Sequence, residues 1–127
     1  MYNKVAIIDD DPINNLICEK VIQRLKFAQE VISFLSAVEA LAWFQVQPCE
    51  DWPTLVFLDI NLPFLDGWEF LSRLEALPEN PLEIYILSSS VSEEDQTKAL
   101  AHPLIAGFLI KPLTLDKLTK LKQVSEV

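Results

Sequence analysis

The sequence predicts an α/β domain with a five-stranded parallel sheet, doubly wound as (βα)5, and three observations carry that expectation. Five short apolar runs alternate with segments whose apolar residues recur at helical spacing, each run stops abruptly on polar residues, and no internal repeat or low-complexity linker breaks the alternation. Runs apolar throughout suit strands buried on both faces, as in parallel sheets covered by helices.

Lys4 to Ile8 is the first such run and ends on Asp9-Asp10-Asp11. Pro12 suits a first helical position and Asp11 the cap before it, so a helix is expected to pack Ile13, Leu16, Ile17, Val21 and Leu25 on the core. Val31 to Leu35 is the second strand; Ser36-x-x-Glu39 then has the capping-box pattern, with Leu41 and Phe44 facing inward and Pro48 just past the helix end. The third strand, Leu55 to Leu58, ends on Asp59, and its loop carries the turn residues Pro63 and Asp66-Gly67. Trp68 to Leu77 is helical through Phe70, Leu71, Leu74 and Leu77, closed by Pro78 and Pro81. Glu83 to Leu87 is the fourth strand and runs into Ser88-Ser89-Ser90; a polar helix spans Ser92 to Ala101. Phe108 to Ile110 is the fifth strand, stopped by Lys111-Pro112, and Thr114 caps a last helix bearing Leu115, Leu118, Leu121 and Val124.

The 127 residues have room for one domain, 1–127, and a chain that is 50% hydrophobic and 23% charged can bury a core. No apolar run approaches the roughly 20 residues of a membrane-spanning helix, and Met-Tyr-Asn-Lys leads directly into the first strand without the pattern of a secretory leader. Cys18 and Cys49 have no metal-type spacing and read as free thiols of a cytoplasmic protein. A formal charge of -9 disfavours contact with nucleic acid or anionic lipid.

The polar residues that end the strands are the informative ones. In open parallel sheets ligands bind beyond the carboxyl ends of the strands, where the strand order reverses. Asp9, Asp10, Asp11, Asp59, Ser88 and Lys111 should all converge there. Two unit charges 4 Å apart interact by about 4 kcal/mol at an effective dielectric of 20, so gathered carboxylates call for a cation. Oxygen-only ligands favour a hard ion such as Mg2+, which usually also holds phosphate oxygens. A carboxylate so placed can attack phosphorus if metal and ammonium neutralise the transferring oxygens, which makes Asp59 the nucleophile and Lys111 the ammonium.

These segments resemble the response-regulator receiver domain of two-component signalling over nearly the whole chain. The resemblance rests on Asp9-Asp10 after an apolar strand, Asp59 in Asp-Ile-Asn-Leu-Pro-Phe-Leu-Asp-Gly, Ser88, Phe108 and Lys111-Pro112. It implies a flavodoxin-like receiver fold, with Asp59 as phosphoacceptor and Asp10, Asp59 and the backbone carbonyl of Asn61 as Mg2+ ligands. Asp9 would assist through water or charge, and Asp11 is the weaker candidate. Lys111 would pair with the phosphoryl oxygens before a cis proline bond, and Ser88 and Phe108 would be the switch residues. Asn61 and Ser90 would flank the path of hydrolytic water. It further implies a histidine kinase or histidine phosphotransfer protein as donor, and a downstream partner on the face of the fourth helix, fifth strand and fifth helix.

A stand-alone signalling module, not an enzyme acting on foreign substrates, is the leading expectation; a receiver cut from a hybrid kinase or transcription regulator is the second. A magnesium-dependent phosphatase with an aspartyl nucleophile is a third, but such enzymes usually carry an acid two residues after the nucleophile, where Asn61 stands. Trp43, Trp52 and Trp68 read as packing, and His102 as a helix-end residue.

Overall fold

The computed structural model describes residues 2–77, 82–89 and 92–125, with backbone alone at 123–125. Pro78, Pro81, Ser90 and the Val124 side chain therefore lie outside the described residues. The elements alternate as β1 (Tyr2–Ile8), α1 (Pro12–Arg24), β2 (Ala28–Phe34), α2 (Ala37–Val46), β3 (Leu55–Leu58), α3 (Gly67–Glu75), β4 (Glu83–Ser88), α4 (Glu93–Ala101), β5 (Ile105–Ile110) and α5 (Leu115–Ser125). A single 3-10 turn, Cys49–Asp51, precedes β3.

All neighbouring strands are parallel, in the order β2-β1-β3-β4-β5. The chain leaves the centre for one edge and then returns across the sheet, and parallel crossovers are right-handed. Reversal of direction therefore places α1 on the opposite face from α2 and α3. The two apolar clusters follow that division. Ala6, Ile8, Val56, Leu58, Ile84 and Ile86 pack with Leu41 and Phe44 of α2 and Phe70, Leu71 and Leu74 of α3. Val5, Ile7, Leu55, Phe57 and Leu87 pack with Cys18 and Ile22 of α1 and Leu118 of α5. Adjacent residues of β1 and β3 thus face opposite cores, as the pleat requires.

Local side-chain caps start the helices, and α3 ends at Glu75, two residues before the Leu77 that its periodicity suggests. Asp11 Oδ1 accepts from the Ile13 amide at 2.9 Å, with Pro12 in the first helical position. Ser36, Asp66, Ser92 and Thr114 accept in the same way from Glu39, Glu69, Asp95 and Lys117. Trp52 is buried and its Nε1 donates to the Gln47 carbonyl, so it is packing, as expected. His102 caps α4 at its carboxyl end; its Nδ1 accepts from the Leu104 amide while Nε2 faces Glu75 at 3.4 Å. Together with Lys98 Nζ, 4.6 Å above the Trp68 ring, that pair ties α4 to α3.

The inward face of α1 differs from the expectation. Ile13, Leu16 and Ile17 are exposed, and the buried residues are Asn14, Asn15, Cys18 and Ile22; Val21 and Leu25 pack partly on the core. Burying a large aliphatic side chain contributes about 2 kcal/mol, so two amides hold that face only because both are hydrogen-bonded to Asp9. Leu115 is likewise exposed, whereas Leu118 is buried. β1, β2 and β5 each begin two or three residues earlier than their apolar runs, because backbone pairing with the neighbouring strand extends past those runs.

Candidate functional site

The site forms where the strand order reverses, between the carboxyl ends of β1 and β3. Ile8 and Leu58 are partners in register, and the Asp59 amide donates to the Ile8 carbonyl at 3.0 Å. Asp9 and Asp59, the next residues of each strand, are thereby brought side by side. The Lys111 amide donates to the Ser88 carbonyl at 2.9 Å, which sets the ends of β4 and β5 against the same edge.

Asp9, Asp10 and Asp59 each offer a carboxylate oxygen within 4.8 Å of the others; Asp9 and Asp59 are buried and Asp10 is exposed. Lys111 Nζ reaches both buried acids, at 2.5 Å from Asp9 Oδ2 and 3.0 Å from Asp59 Oδ2. Burial pushes the Asp9 carboxyl above the usual carboxylate range, and the bonds from Lys111 and the Asp11 amide oppose that rise. Burial alone would lower the Lys111 ammonium, but its bonds to Asp9 and Asp59 outweigh it and hold Lys111 above the ordinary lysine value. Lys111 is therefore a fixed positive charge. By formal charge, three carboxylates against this one ammonium leave two negative charges, and the donor set is oxygen only, which fits a hard divalent cation. Asp11 stays outside the cluster because its carboxylate is used as the α1 cap.

Asn61 and Ser88 adjoin this centre. The Asn61 amide donates to Asp59 Oδ1 at 3.0 Å, and its side-chain Nδ2 lies 3.5 Å from Ser88 Oγ. Ser88 is fully buried. The Lys111-Pro112 bond is cis, as the resemblance implies. Phe108 does not approach the acids: it is half-buried on β5 and lines a shallow groove with Gln96, Leu100 and Ile110, between α4 and the sheet edge.

Sequence reasoning missed three features here. Asn14 and Asn15 enter the site from α1; the available signal was a pair of poor helix formers inside a helix where no cap is needed. Phe64, in the β3–α3 loop, takes a positive φ of 67° and is 97% exposed, and no pattern in the sequence announces a bulky residue in that conformation.

Residues 5–123 match the family model described as the response regulator receiver domain. The chain belongs to that family. Among solved structures, a two-component response regulator from Cytophaga hutchinsonii superposes on this receiver domain with a TM-score of 0.88 and 29% identity, over 97% of this chain and 96% of that one. A protein-glutamate methylesterase/protein-glutamine glutaminase of Hahella chejuensis is 30% identical over 81% of the chain and 27% of its own length. The cyclic di-GMP phosphodiesterase response regulator RpfG of Xanthomonas campestris is 28% identical over 96% of the chain and 33% of its own length. The receiver thus spans a third or less of these two relatives. No helix among the described residues is long and apolar enough to cross a membrane.

Proposed function

We propose that this receiver is a phosphorylation switch in which Asp59 accepts a phosphoryl group from a histidine kinase or histidine phosphotransfer protein. The observation that carries the reading is the Lys111 ammonium bridging Asp9 and Asp59 inside an all-oxygen acid cluster. An Asp59 carboxylate oxygen forms a bond to phosphorus while the bond from phosphorus to the donor imidazole nitrogen breaks, and the imidazole leaves with a proton. Lys111 turns onto the phosphoryl oxygens as their charge concentrates. Asp10, Asp59 and the Asn61 carbonyl hold Mg2+, with Asp9 contributing charge or a water contact. When bound, the cation neutralises the transferring oxygens. Asn61 has no acidic proton to give to a foreign leaving group, which favours a self-modifying module over a phosphatase.

The added charge is about -1.5 to -2. It draws the Ser88 hydroxyl inward, Phe108 moves toward the space released, and the α4, β5 and α5 face is altered for a downstream protein. The groove bordered by Phe108, Leu100 and Ile110 supports this, since Phe108 stands half-way between core and solvent. The exposed stripe of Ile13, Leu16 and Ile17, on the helix that starts beside the acids, suits a protein donor rather than a small phosphate ester alone. The formal charge of -9 supports reading it as a cytoplasmic protein that does not dock on nucleic acid or anionic lipid.

Intact mass after incubation with acetyl phosphate tests the reading. One phosphoryl group should appear in the wild type with Mg2+ and be lost in Asp59→Asn and in chelator; equal uptake by Asp59→Asn would assign the acceptor elsewhere. Cation binding has its own readout. At ten times its dissociation constant Mg2+ should stabilise the fold by about 1.4 kcal/mol, or about 5 °C in Tm, and Asp10→Asn should remove that shift. An identical shift in Asp10→Asn would take Asp10 out of the ligand set.

A further inference from the structure

The first turn of α1 buries two amides, and the opposite side of the helix exposes Ile13, Leu16 and Ile17. Asn14 and Asn15 do different things. Asn14 Nδ2 donates to Asp9 Oδ2 at 2.8 Å, whereas Asn15 Nδ2 donates to the Asp9 backbone carbonyl at 3.1 Å. Asn15 Oδ1 is buried without a hydrogen-bond partner. Asp9 Oδ1 accepts from the Asp11 amide at 2.9 Å, so the carboxylate is gripped at both oxygens. Oδ2 has two donors of unlike character: Lys111, which also reaches Asp59, and Asn14, fixed on a helix.

The difference matters once Lys111 is asked to move. A buried carboxylate oxygen that loses its last donor is strongly disfavoured, so without Asn14 the ammonium would be held on Asp9. With Asn14 in place, Asp9 keeps a donor at Oδ2 and its orientation in the acid cluster whatever Lys111 does. We propose that Asn14 is a positioning residue: its amide fixes the Asp9 carboxylate independently of Lys111, which keeps Asp9 set for the cation and frees Lys111 for the transferring phosphoryl oxygens. This rests on the phosphoacceptor reading above.

Asn14→Leu keeps the γ-branched shape and removes the amide at the cost of a larger side chain, and Asn15→Leu, which makes the same change in size, is its control, since it takes away a buried amide of the same turn that bonds backbone alone. With acetyl phosphate at saturating Mg2+, Asn14→Leu should be phosphorylated about tenfold more slowly, the factor that about 1.4 kcal/mol of lost positioning gives, and Asn15→Leu within about twofold of wild type. Calorimetric titration with Mg2+ alone should show weaker binding in Asn14→Leu and unchanged binding in Asn15→Leu. Should Asn14→Leu not fold, Asn14→Ser, which is smaller and too short to bridge to Asp9, carries the same expectation. Wild-type rate and Mg2+ affinity in the Asn14 variant, or equal losses in both variants, overturn the proposal. If the wild type itself takes no phosphoryl group, the phosphoacceptor reading fails and the Mg2+ titration alone decides the role of Asn14.

Discussion

Gly67→Ala should be the most damaging single methyl that this domain can receive near its site. A Cβ at Gly67 would stand 2.6 Å from Ile60 Cα and 2.9 Å from the Asp59 carbonyl oxygen, and both are backbone atoms that no rotamer change can move. The closeness has a cause: α3 begins immediately against the end of β3, with the Gly67 amide donating to the Ile60 carbonyl at 3.1 Å. Overpacking of this kind costs about 3 kcal/mol. The peptide that must shift is the one carrying Asp59, and displacement of a reacting group by about 1 Å can cost about 100-fold in rate. Urea unfolding and the rate of phosphoryl uptake should therefore fall together. Gly107→Ala makes the comparison, because its Cβ would meet the Tyr85 ring, a side chain that can turn. A Gly67→Ala protein with wild-type midpoint and rate would mean that the loop does not lie this close.

Lys111→Met should slow phosphoryl uptake by about 100- to 1,000-fold, the usual loss when one preorganised stabiliser of developing negative charge is removed. It also strands Asp9 and Asp59, and breaking a buried ion pair from one side costs about 3 kcal/mol. The pH dependence of that deficit, measured without Mg2+, is the sharper test. Lys111 lies above its ordinary value of 10.5, so the stability it contributes is fully present below that value and is lost as pH rises through its raised one. Asp9 is raised above its ordinary 3.8, so the fold prefers its neutral form, and acidification through its raised value relieves the stranded charge. The gap in urea midpoint between wild type and Lys111→Met should be widest at neutral pH and narrow on both sides. A gap of constant size would mean that Lys111 stabilises by packing rather than by charge.

Strand positions and site residues were legible because one physical rule governs both. Strands buried on two faces, β1, β3 and β4, read as apolar runs, and such runs end where the sheet meets solvent, so Asp9, Asp59 and Ser88 announce their own location, whereas Lys111 ends the half-buried edge strand β5 and is marked by the proline after it. The face of α1 was not legible. Apolar residues lie on both sides of that helix, and periodicity cannot tell that Asn14 and Asn15 will be the buried ones, since their partner is Asp9, an acid outside the helix. The exposure of Leu115 has a similar origin, for α5 has a single flank against the sheet and Leu118 takes it. Phe64 was hidden for a different reason: its left-handed backbone is imposed by the loop around it.

The packing of α1 also determines how the protein can be handled chemically. Cys18, on the inward face, is fully buried, and burial together with the Asp9 charge pushes its thiol up to about 12. Its thiolate is scarce at any working pH, and thiolate is the form that reacts with maleimides and haloacetamides. Toward such reagents the domain should behave as a single-thiol protein, with Cys49, only half-buried, as the one point of attachment. Cys49 lies before β3, at the opposite end of that strand from Asp59. A dye or surface tether placed there would sit at the far pole of the sheet, leaving the acid cluster and the exposed side of α1 clear.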